Sequence, residues 1–145
     1  MKAEELINNL MIGDWFRGSD STPIRITVID SWDMVVKDQE DLRVEIGDLQ
    51  PIPLTEDILK SNGFEYFDSG KGDDWKGFVE CSDKGGLYSV RVLANTNGGF
   101  KCMILVEGKT GNRDEIYVTV NYVHQLQHLL RVSGLNDLAD NFKIE

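Results

Sequence analysis

YVHQLQHLLRVS, residues 122–133, is the stretch on which the fold turns. At about 100° per residue, Tyr122, Val123, Leu126, Leu129 and Leu130 gather on one arc of a helix. His124, Gln127, His128 and Arg131 gather on the opposite arc. This is an amphipathic pattern with one apolar stripe, made for one partner. The partner stands immediately upstream. Residues 64–68, 75–81, 87–94, 100–107 and 115–122 are short runs rich in β-branched and aromatic side chains, divided by turn formers such as SDKGG (82–86) and NTNGG (95–99). They read as consecutive antiparallel strands, a meander, with the helix as its cap. A short helical or irregular tail follows at 135–145.

Earlier in the chain, PIPL (51–54) forces an extended path, because each proline disfavours helix at the residue before it. Thr55 is an N-cap candidate, Glu56 and Asp57 suit the positive end of a helix dipole, and Gly63 supplies the stop. A short helix is therefore expected over 56–62. AEELINNL (3–10) reads as another. Between them MIGDWFRG (11–18), IRITVIDSW (24–32), DMVVKD (33–38) and LRVEI (42–46) read as strands, the last two split by the turn KDQED (37–41). Four short strands in about fifty residues point to a small, curved antiparallel β-module of the SH3-like kind. The expected fold class is α+β. Residues 1–52 would form an N-terminal helix with this β-module, and residues 53–145 a helix, an antiparallel β-meander and a C-terminal helix. The two parts could also make one compact domain.

The 145 residues are 41% hydrophobic and 28% charged, enough for a core without disulfides or a structural metal. The net charge is −10. Residues 1–52 hold eleven acids against five bases, and residues 53–145 hold fourteen against ten. Nucleic-acid binding depends on cations that neutralise phosphates, so direct binding to DNA or RNA is not expected, nor is docking on anionic lipid. The acidity serves solubility, or it marks a decoy for a basic partner. Two cysteines, Cys81 and Cys102, are too few for a disulfide framework and read as small core hydrophobes. No signal-peptide pattern and no membrane-length apolar run is present, so the chain reads as soluble and cytoplasmic.

His124 and His128, the two histidines of the chain, stand at i, i+4, the spacing of H-E-x-x-H zinc helices. Gln125 occupies the place of the glutamate base, and an amide cannot take a proton. A third ligand would have to come from Asp137, Asp140 or Glu145. The pair is thus a weak metal candidate, and no cofactor is expected. On the helical wheel both imidazoles face away from the sheet, so His124, Gln127, His128 and Arg131 form a candidate interaction surface. Trp75, after a polar loop, is a candidate anchor beside them. The other aromatics, Trp15, Phe16, Trp32, Phe64, Tyr66, Phe67, Phe78 and Tyr88, fall mostly at strand positions and read as core. Asp30 and Asp33, the Asp73-Asp74 pair and the KDQED turn read as turn carboxylates rather than as catalytic pairs or cation sites. No phosphate-binding glycine loop and no nucleophile elbow is present.

Three stretches together, MKAEEL with IGDWFRG, PIPLTEDILKSNGF, and YVHQLQHLLRVSG, resemble a family of small uncharacterised proteins from Bacteroides-type gut bacteria and their phages and mobile elements. The resemblance spans nearly the whole chain. It departs from the pattern at INNLM (7–11), which reads as an extra segment, and at His128, where the family has asparagine. It implies a source and a context but no mechanism. With no complete catalytic constellation, the function expected is that of a non-catalytic binding or accessory protein of phage or mobile-element origin. It would act on an unknown protein partner through a protein surface, an acidic DNA-mimic inhibitor being one version. The alternative is a small hydrolase or metal-dependent enzyme using His124 and nearby acids.

Overall fold

The computed structural model describes residues 6, 9–67, 75–80, 88–95, 99–107 and 113–144; at 67, 75, 76, 78–80, 88–90, 95, 103–107 and 113–116 it describes the backbone alone. The chain is α+β, built on three antiparallel sheets. Among the described residues, no helix is long and apolar enough to cross a membrane.

Residues 15–51 hold six short strands: β1 (Trp15–Arg17), β2 (Pro23–Arg25), β3 (Val28–Asp30), β4 (Val35–Lys37), β5 (Arg43–Glu45) and β6 (Gln50–Pro51). They divide into two three-stranded sheets, β2-β1-β6 and β3-β4-β5. The antiparallel module is therefore present without a closed barrel. The single strand expected over 24–32 is broken in two, and hydrogen bonding explains the break. Ile26 N–H donates to Asp14 O and its carbonyl accepts from Gly13 N–H, on the β1 side. One residue later, Thr27 N–H donates to Lys37 O and its hydroxyl donates to Asp38 O, on the β4 side. The chain changes sheets between Ile26 and Thr27, a change that side-chain alternation cannot reveal. Phe16, Ile24, Ile26, Val36, Ile46 and Leu49 bury together here with Leu6 and Leu10. The rest of the helix expected over 3–10 lies outside the described residues, apart from Asn9.

Helix α1 (Glu56–Ser61) forms where expected. Thr55 Oγ1 accepts from Ile58 N–H (3.2 Å), and Gly63 ends the helix at φ +85°, a conformation glycine adopts without strain. Five strands follow: β7 (Phe64–Phe67), β8 (Trp75–Glu80), β9 (Tyr88–Asn95), β10 (Phe100–Glu107) and β11 (Arg113–Val120). Their order in the sheet, β11-β10-β9-β8-β7, is the expected meander. Helix α2 (Val123–Val132) packs on it, and the short α3 (Asn136–Asp140) packs on α2. Gln125 Oε1 reaches back to accept from Asn121 and Tyr122 N–H, satisfying two donors at the start of α2. Val123, Leu126 and Leu130 are each fully buried, in one core with Val92, Cys102, Val120, Leu59 and Phe142. Burying each such side chain stabilises the fold by about 2 kcal/mol. Cys102 is a core residue as expected, and burial raises its thiol pKa to about 12; Cys81 lies outside the described residues. Phe16 and Phe64 are also core, but Trp32 is 95% and Tyr66 55% exposed. Trp32 stands outside because the chain has already turned: Asp30 Oδ1 accepts from Trp32 and Asp33 N–H and closes the β3–β4 turn beneath it.

Leu126 lies where sheet, α2 and the C-terminal tail meet. Leu126→Ala is expected to lower unfolding free energy by about 3 kcal/mol in chemical denaturation; a loss below about 1 kcal/mol would contradict this assignment of the core.

Candidate functional site

The polar arc of α2 is only partly open to water: His128 and Arg131 are half-buried. Gln127 is completely buried and His124 is 3% exposed. The arc is covered by residues 11–16, which lead into and begin β1, and by the C-terminal tail. The interaction surface expected from His124, Gln127, His128 and Arg131 is thereby corrected at His124 and Gln127, which are enclosed. The wheel supplied one partner, the sheet, whereas the helix has two.

Gln127 makes the join. Its Oε1 accepts from Trp15 N–H (3.0 Å), and its Nε2 donates to Gly13 O (2.8 Å) and Ala139 O (3.2 Å). One side chain thus ties the N-terminal module and α3 to α2. Trp15 Nε1–H adds a bond to Phe142 O (2.7 Å), and Arg25 bonds the carbonyl of Asp140. Beside Gln127 lies Asp14, fully buried. Its Oδ2 accepts from His128 Nε2 (2.6 Å) and Met11 N–H (2.9 Å), and its Oδ1 accepts from Arg131 Nη1 (2.7 Å). Arg131 Nε also lies 3.6 Å from Asp140 Oδ1. Gly13 permits this approach: it has φ +95°, and a Cβ there would sit 2.8 Å from Arg131 Nη2.

His124 lies deeper. Its ring stacks on Phe16 (4.7 Å between centroids) and on Tyr122 (5.9 Å), and meets His128 edge-on (5.7 Å). Its Nδ1 is buried and has no hydrogen-bond partner among the described residues. Burial lowers its pKa from 6.5 to about 4; the nearby Asp14 pulls it up and His128 pushes it further down. A ring so enclosed cannot touch a substrate, and Asp14 already accepts three hydrogen bonds. The chemistry of this cluster is cohesion. Among the described residues, no three His, Cys, Asp or Glu are grouped so as to hold a metal ion. Asp14 could have been found from sequence only by asking which acid neutralises Arg131. Trp75 opens β8, but its side chain lies outside the described residues, as do Asp73 and Asp74.

The N-terminal module carries an open feature that the sequence reading treated as turns. Between the 18–22 loop and the β4–β5 hairpin lies a cleft of about 470 Å³, lined in part by Asp20, Asp38, Glu40, Glu45 and Asp48, with Arg43 the one base on its wall. Two of these acids hold the loops in shape: Asp20 Oδ1 accepts from Thr22 N–H, and Asp38 Oδ1 from Glu40 and Leu42 N–H. Glu40, Glu45 and Asp48 are exposed. No family model, curated protein or solved structure matches the chain.

Removing the Asp14 carboxylate strands His128 and Arg131. Asp14→Ala is expected to cost about 3–5 kcal/mol in denaturant unfolding; a cost under 1 kcal/mol would show that the cluster is not structural.

His124 gives the seam a pH dependence of known sign. Between about pH 4 and 6.5 the unfolded chain holds a proton on this ring that the folded chain does not. Stability must therefore fall as pH drops from about 6.5, and this contribution levels off below about 4. The full effect is of order 3 kcal/mol. Unfolding titrations of wild type and His124→Phe should diverge in slope across this window, with the variant flatter. Parallel curves would contradict the burial of a neutral imidazole.

Proposed function

We propose that the chain is a non-catalytic binding protein acting through a protein surface, and that the acidic cleft of the N-terminal module receives a cationic segment of its partner. An acidic mimic that occupies the nucleic-acid site of a basic protein is one form of this activity. An origin in a phage or mobile element belongs to the same reading and rests on the motif resemblance. The observation that carries the proposal is the cleft: five carboxylates against one guanidinium on a concave wall. It lies within residues 1–52, which hold eleven acids and five bases. Carboxylates gathered on a concave surface focus a negative potential that attracts and orients a basic partner.

Capped octalysine is the probe. Its affinity for the protein should fall at least tenfold between about 50 and 200 mM salt, as pairing of exposed charges requires. The triple variant Glu40→Gln, Glu45→Gln, Asp48→Asn should lose several-fold more affinity than Asp33→Asn, Asp57→Asn, Glu65→Gln, which removes the same charge from exposed positions outside the cleft. Equal losses would reduce the effect to net charge and overturn the cleft as a site.

A further inference from the structure

The N-terminal module and the rest of the chain meet without sharing a ladder. Among the described residues, no backbone–backbone hydrogen bond joins residues 6–51 to residues 52–144. The bonds that cross are made by side chains: Gln127, the Asp14 cluster, Trp15 and Arg25. The main chain crosses at Pro51–Ile52. Pro51 is still paired with Phe16 of β1, and Ile52 already belongs to the core under the meander. Each side has its own buried cluster. The seam can therefore part while both clusters and all three sheets stay formed, with Pro51–Ile52 as the pivot. Openings of this kind require less free energy than global unfolding.

His124 is enclosed in this seam at 3% exposure, its ring stacked on Phe16 from the far side. A neutral imidazole needs one donor partner and tolerates the enclosure. An imidazolium carries two donors and a charge, and Nδ1 has no partner to receive one. The charged and titratable groups around it come from every packed element. Residues 11–16 bring Asp14, β2 brings Arg25, α2 brings His128 and Arg131 with Tyr122 at its start, and the tail brings Asp140. Asp14 draws a proton to the ring and His128 repels it. The Asp14 carboxylate is already engaged by His128 and Arg131, so little of it is left to compensate a second cation. A proton on His128 strengthens its own bond to Asp14 and works against opening. The direction of the response therefore rests on His124.

We infer that the seam is an acid-sensitive latch: a proton on His124 favours a state in which residues 11–16 swing away from α2 while the meander and its core remain folded. Parting the seam gives the imidazolium the water it lacks when closed. This is a local event, distinct from the loss of overall stability with acid, and it does not depend on the acidic cleft. With the open ring titrating at its ordinary 6.5 and the closed ring at about 4, a drop from pH 7 to pH 5 multiplies the opening equilibrium about twentyfold.

Hydrogen exchange of the whole chain, read by NMR at pH 7 and pH 5 with and without sub-denaturing urea, tests the latch. The Trp15 amide and its indole N–H both donate across the seam and report its opening. After allowance for intrinsic exchange, both should lose about twentyfold in protection at pH 5, and their exchange should be nearly insensitive to urea. The amides of Val92 and Cys102 should be better protected and should exchange by a route that urea accelerates. His124→Phe should remove the pH response at Trp15 and leave Val92 protected. Trp15 exchange that follows urea as steeply as Val92 would show that the seam opens only when the whole chain unfolds, and would overturn the inference. An equal pH response in wild type and His124→Phe would assign it to another group and also overturn it. If the variant does not fold, the wild-type His124 ring signal decides the assignment: titration at about 4 supports the latch, and titration near 6.5 contradicts it.

Discussion

Gln127 is the constraint on which the rest of the structure depends. It sits in the middle of α2, fully buried, and satisfies a backbone amide and two backbone carbonyls on two other segments, residues 13–15 and α3. A glutamine is suited to this because its amide accepts and donates at once and carries no charge to desolvate. Asp14, His128 and Arg131 then close the same seam with charge-assisted bonds, which are the stronger kind. The two buried clusters, one under the meander and one within the N-terminal module, meet through this polar layer and through Trp15 and Phe16. Apolar packing holds each cluster together, and directional bonds set how the two are joined. The bonds of such a layer support one another, so the seam is sensitive to single substitutions.

Much of the fold was legible in the sequence. The meander follows from strand-length runs between turn formers, and α1 follows from Thr55 and Gly63. Val123, Leu126 and Leu130 were legible as the face that meets the sheet. What the sequence hid was the second partner of α2. Hydrophobic periodicity reports burial by apolar contact, and it assigns polar side chains to water by default. His124 and Gln127 are buried by ring stacking and hydrogen bonds, to which periodicity is blind. The division of 24–32 into β2 and β3 was hidden for a related reason: Ile24, Ile26 and Val28 alternate without interruption, and the change of sheet is written in the backbone bonds of Ile26 and Thr27. Trp32 was assigned to the core by residue type, but the Asp30 turn lifts it out.

The candidate site moved accordingly. The histidines that invite a metal reading are spent on cohesion, and the outward-facing features lie elsewhere. One is a concave acidic wall made by turns, whose carboxylates are individually ordinary and gain meaning only when the loops bring them together.

The most direct test of this account is hydrogen exchange on Gln127→Leu, which keeps the volume and removes the bonds. If Gln127 joins the halves, the Trp15 amide should lose its protection, and the amides of Phe16, Ile26 and Val36 should exchange faster by at least tenfold, while those of Val92 and Cys102 in the meander change little. Uniform acceleration across the chain, or an unchanged Trp15 amide, would show that the two halves are held by something other than the polar face of α2.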